Sequence, residues 1–465
     1  MIFNSFEFAL FLPGVFGAYW VMRSTRAKQL VLLVASYLFY AAWDWRFLSL
    51  ILISTIVDYT SARKIAVSVS GKRRRRWVTL SIVVNLGMLA TFKYLGFFVD
   101  SASALLDRVG FEANPAVLSV ALPVGISFYT FQTLSYTIDV YRSRIQPERN
   151  LTTFALFVAF FPQLVAGPIE RAERLLPQLE VLERPSTSDL RAGVRLIGLG
   201  LFRKVAIADG VAPIVEQIFS DPAAHRSWVL FVGAMAFSIQ IYGDFAGYTD
   251  IARGTARLFG VSLVENFRQP YMAKSFSEFW RRWHITLSEW LRDYLYIPLG
   301  GNRGGRLATS RNLMATMLLG GLWHGAAWTF VLWGGLHGMF LVTERFLPAS
   351  LSQSERSSSL WSAGIAVFVT LAWIPFRADS WPNLTGYVSA LATNSGSSGL
   401  VPSDLAILLF AVLGTVAIDV ARAQGVVNPV TEWAPIARGF AYGFAIIVAT
   451  IVSSSSVQTF IYFQF

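Results

Sequence analysis

Four histidines and no cysteine limit the chemistry open to this 465-residue chain. Between Arg311 and Glu344 the sequence reads NLMATMLLGGLWHGAAWTFVLWGGLHGMFLVT, with no Asp, Glu, Lys or Arg, yet it holds His324 and His337. A charged side chain at membrane depth costs roughly 2 kcal/mol or more, so an ionisable residue there is a functional candidate by default. At His324, Trp-His-Gly interrupts the apolar run beside the Gly320-Gly321 pair. That predicts a broken helix, and non-helical backbone at such depth is tolerated only inside protein or along a watery cavity. His324 could be a general base, a metal ligand or a buried structural group. Desolvation favours the uncharged imidazole, which is the state a base needs.

Spacing argues against metal. On one continuous helix His324 and His337 would lie about 20 Å and about 220° apart. No H-x-x-x-H or H-E-x-x-H pattern occurs, and without thiols neither a cysteine-ligated zinc nor a cysteine acyl-enzyme is available. His337, in Gly-Gly-Leu-His-Gly, reads as helix packing among small residues, and His225, in a polar turn, as a surface histidine. His284 falls within SFSEFWRRWHITLSEWLRDYLYI (Ser275–Ile297). There the apolar and aromatic residues recur in steps of three and four, with charges between them. This is the pattern of a helix lying in the membrane interface, too charged to span. Lys274, Arg281, Arg282 and Arg292 around it suit either the phosphates of a soluble donor or lipid headgroups. His284 itself is an amphipathic filler, or else completes with His324 a site for a carbonyl and a hydroxyl. Asp244 and Asp250, in YGDFAGYTDIAR, are expected to pair with Arg203, Lys204 or Arg253.

The surrounding elements are membrane elements. The chain is 54% hydrophobic and 14% charged, with mean hydropathy +0.50, where a soluble domain carries about 25% charged residues. Apolar segments recur from Phe6–Met22 to Phe440–Val452, among them Val117–Val140, Val194–Phe219, Trp228–Ile251 and Met314–Val342. They predict an all-α polytopic membrane helical bundle with about 11 crossings plus re-entrant and interfacial helices. The first segment lacks a basic n-region and a small-residue cleavage site, and is expected to stay as a span. The net charge of +11 sits in short loops between apolar runs, so it reads as a topology signal and not as a nucleic-acid surface. The basic clusters place residues 23–28, 60–76 and 141–150 in the cytoplasm and the N-terminus outside, in a bacterial inner membrane. Residues 1–465 read as one integral domain, with simple spans at 1–120 and 346–465 flanking a centre at 121–345 that carries the chemistry.

Several stretches together resemble a known family. ISFYTFQTLSYTIDVYR (126–142), FPQLVAGPIER (161–171), GLFRKVAIAD (200–209), FAGYTDIARG (245–254), NFRQPYMAKSFSEFWRRWHITLSEWLRDYLYIPLGGNR (266–303), MLLGGLWHGAAWTFVLWGGLHG (317–338) and WIPFRADSW (373–381) are similar to the membrane-bound O-acyltransferases. Within that family they are nearest the bacterial alginate O-acetylation branch, with teichoic acid D-alanyl transfer as a cousin. The resemblance covers nearly the whole chain. It implies that His324 is the catalytic histidine and His284 the second active-site histidine, in a bundle with a central tunnel.

The resemblance further implies transfer of an acetyl group from a cytoplasmic thioester, acetyl-CoA, with no permanently bound cofactor. The acetyl would cross the membrane for O-acetylation of an exported polysaccharide such as alginate or cellulose. A periplasmic acetyltransferase partner, the exopolysaccharide machinery and membrane lipids are the implied partners. Two alternatives stand beside this reading: transfer of D-alanyl or another acyl group to an envelope polymer or lipid, and a transporter or flippase that makes no bond.

Overall fold

The computed structural model describes residues 1–111, 122–165, 167–346, 359–396, 399–425 and 460–461. Helix dominates, and among the described residues the sole β-type pairing is an isolated antiparallel bridge between Arg226 and Ser395. Backbone groups in lipid must be satisfied within their own segment, which helices do. Five helical stretches among the described residues are long and apolar enough to cross a membrane: Thr25–Val67, Gly71–Arg108, Ser227–Leu258, Leu360–Arg377 and Pro402–Ala423. Phe6–Val21 and Leu151–Leu164 are apolar but shorter. The chain is a multi-pass helical membrane protein. The apolar segment at 440–452 lies outside the described residues, as does the start of the one at 117–140.

The chain packs as two compact units. The first comprises Phe3–Gly193 and Ala252–Val264. Its helices are α1 (Phe6–Val21), α2 (Thr25–Asp44), α3 (Leu48–Val67), α4 (Gly71–Leu89), α5 (Leu95–Arg108), α6 (Ile126–Tyr141), α7 (Leu151–Ala159), α8 (Phe161–Leu164) and α9 (Ala172–Glu180). Where α3, α4 and α6 meet, Asp58 is fully buried. Its carboxylate accepts hydrogen bonds from Ser81, from Asn85 Nδ2 at 2.9 Å and from Thr137 Oγ1 at 3.2 Å. A buried carboxylate is tolerable only when so satisfied. Glu170 in GPIER is buried as well, and its Oε1 accepts from the Val264 amide at 2.6 Å.

The second unit comprises Val194–Ile251 and the chain from Glu265 onward. It is entered through α10 (Thr187–Leu201) and a π-helical stretch at Phe202–Ala208. It continues with α11 (Asp209–Ser220), α12 (Ser227–Leu258), α13 (Phe276–Arg282), α14 (Ile285–Leu291), α15 (Gly305–His324), α16 (Trp328–Phe346), α17 (Ser359–Arg377), α18 (Trp381–Thr393) and α19 (Pro402–Ala423). The π-helical stretch carries Arg203 and Lys204 inward. Arg203 pairs with Asp250 and Asp419, each at 3.3 Å, and Lys204 with Asp209 at 2.7 Å and Asp244 at 2.9 Å. Asp244 and Asp250 therefore hold buried structural ion pairs, and the Asp244 Oδ2 also accepts from the Ile461 amide at 2.7 Å.

Three sequence expectations are refined or corrected here. The break expected at Trp-His-Gly within 314–342 is present: α15 ends at His324 and the backbone is extended at Gly325, and what the sequence did not foretell is that α16 returns antiparallel to α15. The Gly320-Gly321 pair does not break the helix. It lets the two helices touch, since a Cβ on Gly321 would collide with the Phe330 carbonyl oxygen and one on Gly334 with that of Met317. Small residues at a helix–helix seam serve this close approach. Second, Ser275–Ile297 is not one helix, because it breaks between α13 and α14 at His284. Third, His225 is buried, 4% exposed, beneath a returning loop: Asn394 donates to its carbonyl at 2.6 Å and Gly399 lies against its ring.

Candidate active site

The break at His284 follows from how α13 stops. Ser275 caps its N-terminus, accepting from the Glu278 amide at 2.9 Å. At the other end Trp283 donates to the Phe279 carbonyl, and His284 turns into the left-handed region at φ +42°, ψ +55°. For a non-glycine residue that conformation costs about 1–3 kcal/mol and persists only where surroundings impose it. The segment 266–268 imposes it here. Asn266 O accepts from the Ile285 amide at 3.0 Å, and the Arg268 amide donates to Arg282 O at 2.9 Å. The Asn266 Oδ1 accepts from the Thr286 amide at 3.1 Å and the Thr286 hydroxyl at 3.0 Å, and lies 3.3 Å from His284 Nδ1. The result is a fully buried imidazole between two short helices, in place of an interfacial one.

His324 reaches the same place from the end of α15. The two imidazole centroids are 6.3 Å apart, inclined at 65°. Rings surround the pair. Phe245 of α12 meets His284 edge-on at 4.7 Å, and Trp323 lies 5.9 Å from it. Trp333 and Phe376 meet His324 at 5.1 and 5.5 Å. His324 is 3% exposed. Gly325 is required because a side chain there would run into the Phe330 ring. Burial pushes the His284 imidazole down to about 3, so the ring is neutral at physiological pH.

His337 comes close to this cage as well, contrary to the continuous-helix geometry. The hairpin turns it back so that Trp333 lies between the two rings, 4.9 Å from His337 and 5.1 Å from His324. Its ring packs on Phe279, Trp280 and Phe368, while the small residues beside it, Gly334 and Gly338, do the helix packing. Among the described residues no group of three or more His, Asp or Glu has an arrangement that could hold a metal ion.

The four basic residues separate into two kinds. Arg282 is held by Glu278 at 2.6 Å, and Arg292 by Asp293 at 2.7 Å. Lys274 and Arg281 are exposed and make no ion pair among the described residues. Sequence reading missed Asn266, Phe245, Trp333 and Phe376, which build the cage and its anchor. Asn266 lies eighteen residues before His284, outside the amphipathic stretch that begins at Ser275. The only hint was a polar residue opening the long motif at 266–303.

The chain as a whole is similar to known acyltransferases. The model of the membrane-bound O-acyltransferase family matches residues 37–374. The chain is 46% identical over 385 residues to the probable alginate O-acetylase AlgI of Azotobacter vinelandii, covering 82% of this chain and 76% of that one. It is 35% identical over 435 residues to the peptidoglycan O-acetyltransferase of Helicobacter pylori, covering 86% and 81%. It is 27% identical over 265 residues to the teichoic acid D-alanyltransferase of Bacillus subtilis, covering 54% and 67%. A family model matched over most of the chain, and relatives 35–46% identical along more than two thirds of both chains, show that this helical membrane chain is an O-acyltransferase belonging to the membrane-bound O-acyltransferase family.

Proposed function

We propose that the chain takes an acetyl group from acetyl-CoA at the cytoplasmic side of a bacterial inner membrane. It passes the group outward for O-acetylation of an exported polysaccharide such as alginate. The observation that carries this reading is the 6.3 Å approach of His284 and His324 inside an aromatic cage. His324 takes the proton of the acceptor hydroxyl, the hydroxyl oxygen bonds to the thioester carbonyl carbon, and the C–S bond breaks. The proton then goes to the departing thiolate. A positioned base of this kind contributes roughly 10²–10⁴-fold. Exclusion of water by the rings protects the thioester from hydrolysis.

Lys274 and Arg281 are the cations proposed to meet the phosphates of the donor, because Arg282 and Arg292 already hold carboxylates. The bundle is proposed to have about 11 crossings around a central tunnel. Such a passage lets the acetyl cross while its charged carrier stays in water, since moving phosphates through hydrocarbon is prohibitive. A periplasmic acetyltransferase partner receives the group, and the acceptor hydroxyl belongs to that partner or to the polymer. The similarity to O-acetylating relatives supports acetyl over D-alanyl.

The test uses sealed membrane vesicles of both orientations. Acetyl-CoA added outside should release free CoA thiol from inside-out vesicles and none from right-side-out ones. Thiol release from right-side-out vesicles alone, or from neither, would overturn the donor assignment.

A further inference from the structure

The tautomer of His284 is legible from heavy atoms alone. The amide hydrogen of Thr286 is an obligatory donor, and it points at one atom of the Asn266 side chain at 3.1 Å. That atom must be the carbonyl oxygen, because an amide nitrogen there would set donor against donor. The Thr286 hydroxyl reaches the same atom, and Asn266 Nδ2 has no hydrogen-bond partner among the described residues, so a flipped amide gains nothing. With an acceptor fixed 3.3 Å from His284 Nδ1, that nitrogen must carry the hydrogen. The facing groups on α12, on the 266–267 segment and on α15 are Phe245, Asn266, Phe267, Trp323 and His324, with no carboxylate or fixed cation among these contacts. A neutral ring has one N–H, so Nε2 holds the lone pair.

We propose that Asn266 is a positioning residue that locks His284 in its Nδ1–H tautomer. His284 then enters acyl transfer through Nε2 as a proton or hydrogen-bond acceptor, and not as an N–H donor to the acyl carbonyl. This rests on the reading that His284 belongs to the acyl-transfer site. The left-handed backbone at His284 gives the lock a structural cause. A donor for the carbonyl oxygen must come from another group. At metal sites, partners that fix the tautomer and orientation of a histidine are typically worth 10- to 100-fold, and a loss of similar order is expected here.

The experiment is nitrogen NMR of the full-length protein, labelled with ¹⁵N at the histidine rings, in detergent micelles. With four histidines, His284→Gln assigns the signal by its disappearance. The wild-type ring should show a protonated Nδ1 and a bare Nε2. A protonated Nε2 overturns the proposal without need of any Asn266 variant. Asn266→Leu should redistribute the tautomer and lower acetyl transfer at least 10-fold, while Asn266→Asp, which keeps the acceptor, should retain the wild-type tautomer. Loss of the tautomer signature in Asn266→Asp, or its retention in Asn266→Leu, overturns the assignment to Asn266. His284→Gln with undiminished transfer would instead sink the reading of His284 as part of the site, whatever the tautomer.

Discussion

Gly321→Ala should disable this protein without touching either histidine. A Cβ at position 321 would sit far inside contact distance of the Phe330 carbonyl oxygen and 3.1 Å from Gly334 Cα. Carbon–oxygen contacts of this kind settle at about 3.3–3.6 Å, so α15 and α16 must part by roughly 1 Å. Overpacking of this sort costs about 1–3 kcal/mol of stability. The larger effect is positional. His324 follows Gly321 by three residues on α15, and Trp333 precedes Gly334 on α16, so the parted seam shifts the imidazole against the ring 5.1 Å away. A 1 Å displacement of a reacting group can cost about 10²-fold in rate. The control is Gly335→Ala, one residue along, whose Cβ would meet only Leu318 Cδ2 at an ordinary 3.5 Å. The assay is polymer-bound acetyl per unit of membrane-inserted protein, with thermal melting in detergent alongside. Gly335→Ala should transfer like wild type, and Gly321→Ala should fall about 100-fold while still inserting. Equal activity in both variants would refute the claim that the seam sets the histidine's position.

Other perturbations have equally definite outcomes. Changing Lys274 and Arg281 together to Ala should raise KM for acetyl-CoA several-fold at unchanged kcat, whereas Arg282→Ala should lower melting temperature by releasing Glu278; an unchanged KM in the double variant removes the phosphate role. Because the folded pKa of His284 lies near 3, below the ordinary 6.5, the unfolded chain takes up a proton as pH falls and the folded one does not. The stability contributed by the neutral ring is thus full above pH 6.5 and lost as pH falls toward 3, about 2 kcal/mol by pH 5. His284→Gln should flatten that part of the acid dependence of unfolding, and an identical slope would contradict it. Reporter fusions after Ser70 should read cytoplasmic and those after Arg108 periplasmic; the reverse would invert the donor side.

The local backbone of the site was legible where residue type and context disagreed. A histidine followed by glycine in an uncharged run announced a break, and α15 does end at His324. The break at His284 was invisible, because spacing of three and four survives a single left-handed residue and the aromatic stripe continues across it. Burial of His284 and His225 was equally hidden, since each is covered by residues remote in sequence: 266–268 in one case, Asn394 and Gly399 in the other. The ion pairs of Asp244 and Asp250 were foreseeable because a carboxylate near membrane depth requires a cation, and Arg203 and Lys204 were at hand. The break within 314–342 was expected, but the antiparallel return of the two halves was not, because which face each half presents to the other is not written in an apolar run. Their tight seam depends on glycines whose role shows only when the partner helix is in place.

The most direct test of the central claim is the acetyl content of the exported polymer in a strain whose only copy of this protein carries His324→Ala. The substitution should leave the protein inserted and folded, which melting in detergent checks. Acetylation should fall to the level of a strain lacking the protein. Polymer acetylated as in wild type, with the variant present at normal amount, would contradict the assignment of acyl transfer to this imidazole.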